Sequence, residues 1–481
     1  MKTENFYNPV SDELLAELGE AVGEKYVWTD EDKLLQYETD EEGNPVWFKK
    51  PEVVVEPGST EEVAKVMKLA NKYKIPVTPR SAGTNVTAGA IPCRRGIVMH
   101  LERMNKIEEI NAESMYAVVQ TAVKTADIQS EVKRVGLMYA ADPCSADVGC
   151  QIGGNAATNA GGDRAVKYGV TRNQIYSLEI VTPTGEITTV GGRIKKSTSG
   201  YALDQLMMGS EGTLGIITKV TLKLLPMPKY KEDMVAIFDS VEKAVKVPNE
   251  LTKAGVPATS LEFMDNRSIK LVGDYLKSDL PYKDDGKSNY ILITIEGFSE
   301  DEVNQAAEKA VGICENIGAT DILESSERIW NARKNFAVAA REISRNYYAE
   351  DFVVPLDKIP ELMEKLPGIE EKTGIWTMTS AHIGDGNVHT LLMQADIPDD
   401  KWLYKIHDFH DLVYAEVYKL GGKMSGEHGI GQKKVRDFKI HTDPVERTLM
   451  MRIKKALDPN LILNPDKIFP LEELIGLDIT K

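Results

Sequence analysis

The chain has 481 residues, of which 42% are hydrophobic and 27% are charged, the balance of an ordinary globular protein. This length allows roughly two to four domains. The formal net charge of −16 argues against nucleic-acid binding, which requires a basic protein face.

The N-terminal residues and the cysteines indicate the cellular compartment of the protein. The first eight residues lack the apolar core of a signal peptide. No apolar run approaches the ~20 residues of a membrane span. The four cysteines show no CxxC spacing, so neither a disulfide framework nor a cysteine-ligated iron–sulfur cluster is expected. We therefore predict a cytoplasmic protein without a membrane span.

Residues 1–45 are predicted to be acidic and largely helical. Ser11 is the expected N-cap of a helix, because the leucines after it recur at helical spacing. The acidic stretches at 30–32 and 38–42 are interpreted as a solvated face and a loop.

An α/β pattern follows. Apolar runs predict strands at 52–56, 75–78 and 97–101, and an amphipathic helix is predicted from 59 to 73. No GxGxxG motif is present, so tight NAD(P) binding by that motif is not supported.

The loop at residues 79–91 is the first candidate binding element. Gly83 and Gly89 have no Cβ, so a ligand can approach the main chain closely. Consecutive exposed N–H groups in such a loop form an anion-binding concavity that suits a pyrophosphate. A plain surface turn is the alternative interpretation.

Residues 142–162 form a second glycine-rich stretch. Its small residues cannot build a packed core alone, and they suit a backbone wrapped around a flat, extended ligand. A third glycine-rich loop at 207–218 runs into a predicted strand. Other elements of this half are predicted at 116–120 (strand), 125–136 (helix), 178–182 (strand) and 187–190 (strand).

Pro226 and Pro228 mark a predicted domain boundary, and strands and helices alternate after it. This alternation predicts an antiparallel sheet with helices on one face. The predicted strands are 234–238, 260–264 and 290–296, and the predicted helices are 241–254 and 300–317.

Two histidines flank a predicted hairpin turn at Asp385-Gly386. A two-residue turn there would place His382 directly opposite His389, with Cβ atoms about 5 Å apart on one face. Two imidazoles held in this way can share one metal ion.

Further polar residues fit an acidic substrate and a metal. Glycines around Glu427 and His428 favour a loop that presents both side chains to one site, and two histidines with one carboxylate form a common catalytic metal set. A solvent-facing turn is the alternative. Arg333, on a predicted helix, suits a carboxylate, although an ordinary surface arginine is the alternative. Asn464 lies in a proline-braced loop.

Together these motifs resemble those of the FAD-linked 2-hydroxyacid dehydrogenases of the vanillyl-alcohol-oxidase flavoprotein family. The relatives that they resemble most are D-lactate dehydrogenases and the D component of glycolate oxidase. The motifs are residues 79–90, 153–162 and 209–218 and the His382, His389, Glu427 and His428 set.

The resemblance implies an α+β fold. An FAD-binding domain of two lobes is expected at 1–227, with an acidic helical segment at its N-terminus. A substrate or cap domain with an antiparallel sheet is expected at 228–420. A C-terminal segment at 421–481 is expected to return to the FAD domain.

The resemblance also implies the site residues. His382, His389 and Glu427 match the metal ligands, His428 matches the general base, and Arg333 matches the arginine that binds the substrate carboxylate. The expected metal is one that such a ligand set accepts, Zn, Fe or Mn. The residues expected to bind FAD, non-covalently, are Pro79, Arg80, Ser81, Ala82, Gly83, Thr84, Asn85, Gly89, Ala90, Asp142, Pro143, Ser145, Gly149, Gly153, Gly154, Asn155, Thr158, Asn159, Ala160, Gly161, Gly212, Ile217 and Asn464.

The implied activity is FAD- and metal-dependent oxidation of a small D-2-hydroxy acid, foremost D-lactate to pyruvate. Some relatives that act on larger acids carry a threonine where this chain has Ala337 and a lysine further on, which residues 347–351 lack. The expected electron acceptor is an electron-transfer flavoprotein or another redox partner. The alternatives are a glycolate or 2-hydroxyglutarate dehydrogenase, a non-redox enzyme resembling alkylglycerone-phosphate synthase, and a non-catalytic FAD-binding subunit.

Overall fold

The computed structural model describes residues 6–344 and 346–479. Residues 1–5, Arg345 and residues 480–481, which the predicted domains include, lie outside the described residues. Among the helices that the structure describes, none is both long and apolar enough to cross a lipid bilayer.

The chain divides into two compact units. The first comprises Met1–Ala160, Val170–Met227 and Glu427–Lys481, and the second comprises Gly161–Gly169 and Pro228–Gly426. The predicted boundaries differ at Gly161–Gly169, which they assigned to the FAD-binding domain, and at residues 421–426, which they assigned to the C-terminal segment. Both segments belong to the second unit, where Tyr168 donates a 2.6 Å hydrogen bond to Glu296.

The helices and strands are numbered in chain order. The helices are α1 (Asp12–Val22), α2 (Glu31–Leu35), α3 (Thr60–Tyr73), α4 (Thr125–Lys133), α5 (Ile152–Thr158), α6 (Ala165–Tyr168), α7 (Leu203–Met207), α8 (Val241–Ala244), α9 (Val247–Lys253), α10 (Asn266–Tyr275), α11 (Glu300–Ile317), α12 (Glu327–Lys334), α13 (Phe336–Ile343), α14 (Ile359–Thr373), α15 (Asp399–Lys419), α16 (Val435–His441), α17 (Pro444–Leu457) and α18 (Leu471–Gly476). The strands are β1 (Val27–Trp28), β2 (Val53–Val55), β3 (Val77–Arg80), β4 (Ile97–His100), β5 (Ile107–Asn111), β6 (Tyr116–Gln120), β7 (Leu137–Met138), β8 (Ile175–Val181), β9 (Ile187–Gly191), β10 (Ile216–Lys223), β11 (Leu225–Pro226), β12 (Tyr230–Phe238), β13 (Ala258–Met264), β14 (Asn289–Gly297), β15 (Asp321–Glu324), β16 (Tyr347–Val353), β17 (Trp376–His382) and β18 (Asn387–Met393).

The first unit contains two lobes, each with its own apolar core. The N-terminal lobe has a sheet of order β1-β2-β4-β3, in which β4 runs parallel to both β2 and β3. Helix α3 packs its apolar stripe into this core, and Ser59 caps it by accepting a 3.2 Å hydrogen bond from the Glu62 amide. The predicted N-cap at Ser11 is also confirmed, since its hydroxyl accepts from the Leu14 amide.

The second lobe is built on an antiparallel sheet of order β5-β6-β10-β8-β9. Its core is formed by the apolar side chains of these strands together with those of α4 and α5. In the N-terminal lobe both faces of the sheet are covered, because Val54 and Val98 pack with Leu34 and Tyr37 in a separate apolar cluster.

The second unit is organised around a seven-stranded sheet of order β15-β12-β14-β13-β17-β18-β16. All of its pairings are antiparallel, as predicted. The predicted helix at 241–254 is instead two helices, α8 and α9. Proline fits best in the first turn of a helix, and Pro248 lies in the first turn of α9.

Candidate functional site

The loop at 79–91 is folded around the side chain of Asn85. Its Oδ1 accepts hydrogen bonds from the Thr87 amide (2.9 Å), the Thr87 hydroxyl (2.8 Å) and the Gly89 amide (2.9 Å). Its Nδ2 donates to the main-chain carbonyl of His428 at 3.1 Å. The loop that was expected to bind the cofactor thus also holds the backbone of the residue that was expected to be the base.

Two glycines in and near this loop have positive φ angles. Gly83 has a φ of +75°, and a Cβ there would lie 2.4 Å from Nη2 of Arg80. Gly212 has a φ of +65°, and a Cβ there would lie 2.9 Å from Pro79. These positive φ angles favour glycine, and the side chains of Arg80 and Pro79 take the space that a Cβ would need. The predicted strand at 75–78 ends later than expected, at Arg80, so Pro79 and Arg80 belong to β3.

Asn464 lies against the same loop. Its Nδ2 donates to the carbonyl of Gly89 at 3.2 Å and to the carbonyl of Glu211 at 2.8 Å. Its Oδ1 is buried and has no hydrogen-bond partner among the described residues. A buried acceptor in this position fits a bound group that carries an N–H or O–H donor, as FAD does.

Glu211 was not singled out from the sequence, although it stands next to Gly212. Its carboxylate accepts from the amides of Ile430 (2.8 Å) and Gly431 (2.6 Å). Burial raises the pKa of Glu211, and the two amide hydrogen bonds oppose that rise. Glu211 thereby ties the third glycine-rich loop to the chain that follows His428. A carboxylate inside a glycine-rich turn was the available signal.

The interpretation of residues 38–42 as a solvated loop was wrong for two side chains. Asp40 is buried and accepts a 3.1 Å hydrogen bond from the Ala90 amide, and burial raises the pKa of Asp40 to about 6. Glu42 is buried against Lys433, with which it forms an ion pair. Arg80 also faces this segment, donating to the Thr39 carbonyl at 2.6 Å, and burial lowers the pKa of Arg80.

The stretch at 142–162 contains a helix that the sequence analysis did not predict. Helix α5 covers Ile152–Thr158 and buries several side chains in the core of the second lobe. The expected wrapping of this stretch around a ligand stays a prediction. Small residues allow this helix to pack closely, since a Cβ on Gly153 would lie 1.8 Å from Oγ1 of Thr121. By contrast, a Cβ on Gly154 would lie 3.7 Å from Ser81, which is ordinary contact.

Other predicted cofactor residues of this stretch have internal partners. Asn155 is buried and donates to Oγ1 of Thr125 at 2.7 Å. Asn159 ends α5 at a φ of +56° and accepts from the Arg172 amide at 3.0 Å. Gly161 belongs to the second unit. Of the remaining members, Ser145 lies in a 3₁₀ helix, Gly149 in a turn and Thr158 at the end of α5, whereas Asp142, Pro143 and Ala160 lie outside helices and strands.

Ile217 was among the residues expected to bind FAD. It lies on β10, directly opposite Ile180 of β8, and its side chain is buried in the core of the second lobe. This packing accounts for an isoleucine there without a ligand. The remaining members of the first loop, Ser81, Ala82 and Thr84, are not fully buried.

In the second unit, the histidine hairpin has a different register from the predicted one. His382 pairs with Asn387, and His389 pairs with Ser380, so a four-residue turn joins β17 and β18. Neighbouring segments fix this turn, because Gly386 accepts from the Val354 amide at 3.1 Å. The two histidines are diagonal neighbours on one face, and their ring centroids are 5.0 Å apart.

One carboxylate joins His382 to Arg333. Glu262 is the cross-strand partner of His382, and its Oε1 lies 2.8 Å from His382 Nδ1. Its Oε2 accepts a 2.9 Å hydrogen bond from Nε of Arg333 and forms an ion pair with Nη2 at 2.7 Å. Arg333 lies on α12 and is only 6% exposed, so the surface-arginine alternative was wrong. Glu262 was missed, although an acidic residue within an apolar strand was a signal.

The segment before Glu427 is attached to this sheet. The Gly426 amide donates to the carbonyl of Asp351 at 2.7 Å, and Asp351 lies directly opposite His389 on β18. Glu427 is bonded to Gly426, so their Cα atoms are about 3.8 Å apart.

The chain matches two families along its length. Residues 51–191 match the family described as "FAD binding domain", and residues 227–468 match "FAD linked oxidases, C-terminal domain". It is 35% identical to a D-lactate dehydrogenase of Anaerostipes hadrus, over 96% of this chain and 98% of that protein. It is 31% identical to the glycolate oxidase subunit GlcD of Bacillus subtilis (strain 168), over 89% and 91%.

A solved structure shares the fold. The p-cresol methylhydroxylase structure superposes with a TM-score of 0.80 at 17% identity, over 96% of this chain and 97% of that one. The predicted α+β class and the resemblance drawn from the sequence motifs are confirmed by these matches. This chain belongs to the FAD-linked oxidases of the vanillyl-alcohol-oxidase flavoprotein family.

Proposed function

We propose that this protein is an FAD- and divalent-metal-dependent dehydrogenase of small D-2-hydroxy acids, foremost of D-lactate. The observation that carries the proposal is the buried chain Arg333–Glu262–His382. In this chain of contacts, the carboxylate of Glu262 binds both the guanidinium of Arg333 and the imidazole of His382. A guanidinium is the natural partner of a substrate carboxylate, and an imidazole is a common metal ligand. The names of the full-length relatives, D-lactate dehydrogenase among them, point to the same class of substrate.

The first unit is the proposed FAD site. The glycines at 83 and 212, the Asn85-centred loop and the unpartnered Oδ1 of Asn464 fit a long cofactor held by main-chain groups. We propose that FAD is bound non-covalently. Acid precipitation of the protein should then release all of the flavin into the supernatant, whereas a covalent flavin would stay in the pellet.

His382, His389 and Glu427 are the proposed metal ligands. The fit is supported by the donor chemistry, since a carboxylate engages Nδ1 of His382, as in many metal-ligating histidines, and Nε2 is the proposed ligand atom. The set of two histidines and one carboxylate is compatible with Zn, Fe or Mn. Metal analysis of the purified protein decides among them.

Oxidation of a 2-hydroxy acid removes a proton from the hydroxyl and a hydride from Cα. When bound, FAD supplies the two-electron acceptor, and the metal supplies Lewis acidity at the hydroxyl. His428 is the proposed general base for the hydroxyl proton. Arg333 is the proposed clamp for the substrate carboxylate, because the planar fork of a guanidinium matches the two oxygens of a carboxylate.

The substrate class is tested by comparing short acids. D-lactate is the first choice because this chain has Ala337 in place of the threonine expected for a second carboxylate, and residues 347–351 contain no lysine. Glycolate is the second candidate, supported by the similarity to GlcD. The proposal predicts higher kcat/KM for D-lactate than for D-2-hydroxyglutarate, and the reverse order would contradict it.

The electrons are proposed to pass to an electron-transfer flavoprotein in the cytoplasm. The chain has no GxGxxG motif, so a protein acceptor is favoured over NAD. Reduction of an artificial dye by D-lactate would exclude a non-redox enzyme of the alkylglycerone-phosphate synthase type. Failure to reduce any purified electron-transfer flavoprotein from the host would contradict the proposed acceptor.

A further inference from the structure

The side chain of Glu262 occupies a position between two proposed functional groups. It is fully buried on β13, and each of its carboxylate oxygens serves a different partner. Oε1 faces Nδ1 of His382, and Oε2 accepts from Nε of Arg333 and lies 2.7 Å from its Nη2. The ion pair with Arg333 uses only Oε2, so Oε1 is available for His382.

The sheet register fixes this arrangement. Glu262 and His382 are direct partners on the antiparallel strands β13 and β17, so their side chains lie on the same face. Burying a carboxylate in a strand costs free energy unless it is paired. Arg333 supplies the opposite charge, and His382 completes the hydrogen bonding of the carboxylate.

The contact with Nδ1 has a chemical consequence for His382. A carboxylate that accepts from one ring nitrogen fixes the tautomer and the ring plane, and it makes the other nitrogen a better metal ligand. The same carboxylate holds the guanidinium of Arg333 by Nε and Nη2. Any shift of Glu262 would therefore move both groups.

We propose that Glu262 is a positioning residue that sets the metal-ligating geometry of His382 and the orientation of Arg333 together. This inference rests on the proposed function. It goes further by assigning the coupling between metal affinity and substrate binding to one side chain, that of Glu262. Glu262 itself is not proposed to contact the metal or the substrate.

The test is a zinc titration of the metal-free protein against a competing chelator, with steady-state kinetics on D-lactate in parallel. Glu262→Gln keeps the size of the side chain and removes its charge. Glu296→Gln is the matched control, since Glu296 is also a buried glutamate of the same sheet, and it accepts from the hydroxyl of Tyr168. FAD content and far-UV circular dichroism check the fold of each variant.

Glu262→Gln should weaken zinc binding about 10- to 100-fold, the usual effect of losing such a partner, and should raise the KM for D-lactate. Glu296→Gln should stay within about twofold of wild type in both measurements. Unchanged zinc affinity in Glu262→Gln, with wild type binding zinc, would overturn this inference alone. A wild type that binds no zinc would overturn the proposed metal site itself.

Glu262→Asp keeps the charge and covers the case in which the glutamine variant does not fold. Its carboxylate is one methylene shorter and cannot reach both His382 and Arg333 as Glu262 does. It should therefore also weaken zinc binding and raise KM. Wild-type values for both quantities in a folded aspartate variant would overturn the inference.

Discussion

Asp351 holds the Gly426 amide with two acceptors, its main-chain carbonyl at 2.7 Å and its Oδ2 at 3.1 Å. The same Oδ2 accepts from the Ser425 hydroxyl at 2.9 Å. Because Asp351 is also the cross-strand partner of His389, one residue links a histidine strand to the segment that leads into Glu427. This link gives the first prediction.

Asp351→Asn should have a mild effect on metal binding, because the amide oxygen can still accept from Ser425 and Gly426. Asp351→Ala removes these side-chain hydrogen bonds and should weaken zinc binding at least about tenfold, by analogy with other residues that orient metal ligands. Zinc titration of the two variants checks the order. Equal affinities for the alanine variant and wild type would show that this anchor does not position Glu427.

His428→Asn should lower the rate of flavin reduction by D-lactate about 10²- to 10⁴-fold, the usual contribution of a general base. FAD should remain bound, because Asn85 and Thr87 bind the main-chain carbonyl of residue 428 and not its side chain. Stopped-flow spectroscopy measures the rate, with His441→Asn as a control at the end of α16. A reduction rate near wild type would reject His428 as the base.

Alanine variants of two adjacent glycines of α5, Gly153 and Gly154, distinguish an effect on helix packing from an effect on FAD binding. Gly154→Ala has room within the protein, where its Cβ would be 3.7 Å from Ser81. We expect an unchanged Tm of the FAD-free protein and an FAD affinity at least about tenfold lower, because a ligand that approaches the main chain would meet the new methyl group. Thermal denaturation and fluorescence titration with FAD measure the two quantities.

Gly153→Ala is the contrasting variant, since its Cβ would be 1.8 Å from Oγ1 of Thr121. It should lower the Tm even without FAD, because overpacking commonly costs about 1–3 kcal/mol. If Gly154→Ala bound FAD as wild type does, FAD would not approach the main chain at Gly154.

The raised pKa of Asp40 predicts that the stability of the protein depends on pH. Burial raises its pKa from 3.8 to about 6, so between these values the native state binds more protons than the unfolded state. The free energy of unfolding that Asp40 contributes must then fall as the pH rises through this window. Across the whole window the unfolding free energy that Asp40 contributes falls by about 3 kcal/mol, because its pKa rises by about two units at ~1.36 kcal/mol each.

Urea denaturation from pH 4 to pH 7 checks this effect, with Asp40→Asn as the non-titrating control. The difference in unfolding free energy, wild type minus variant, should decrease across the range. A constant or rising difference would show that Asp40 is not a carboxyl group made more basic by burial.

Local patterns predicted much of the fold. Helix α11 covers Glu300–Ile317 as predicted, because its Ser299 N-cap and amphipathic period agree with its packing. Long-range contacts explain the failures. The hairpin register is set by main-chain hydrogen bonds to Val354 and Leu261, which a turn motif at Asp385-Gly386 does not report.

The candidate site was predicted in its motifs but not in its buried partners. Composition suggests that acidic residues face solvent, yet Asp40 is buried under the Ala90 amide and Glu262 between Arg333 and His382. Each burial depends on a partner tens of residues or more away in the chain. Such pairs arise only when the strands are brought together, so no local pattern could identify them.

The central claim is that D-2-hydroxy acids reduce the bound flavin. Its most direct test is anaerobic mixing of the FAD-loaded protein with D-lactate, L-lactate, glycolate and D-2-hydroxyglutarate, followed by the absorbance of oxidised flavin. We predict rapid bleaching by D-lactate, slower bleaching by glycolate and none by L-lactate. Flavin that remains oxidised with every D-acid, or that L-lactate bleaches equally fast, would contradict the proposed function.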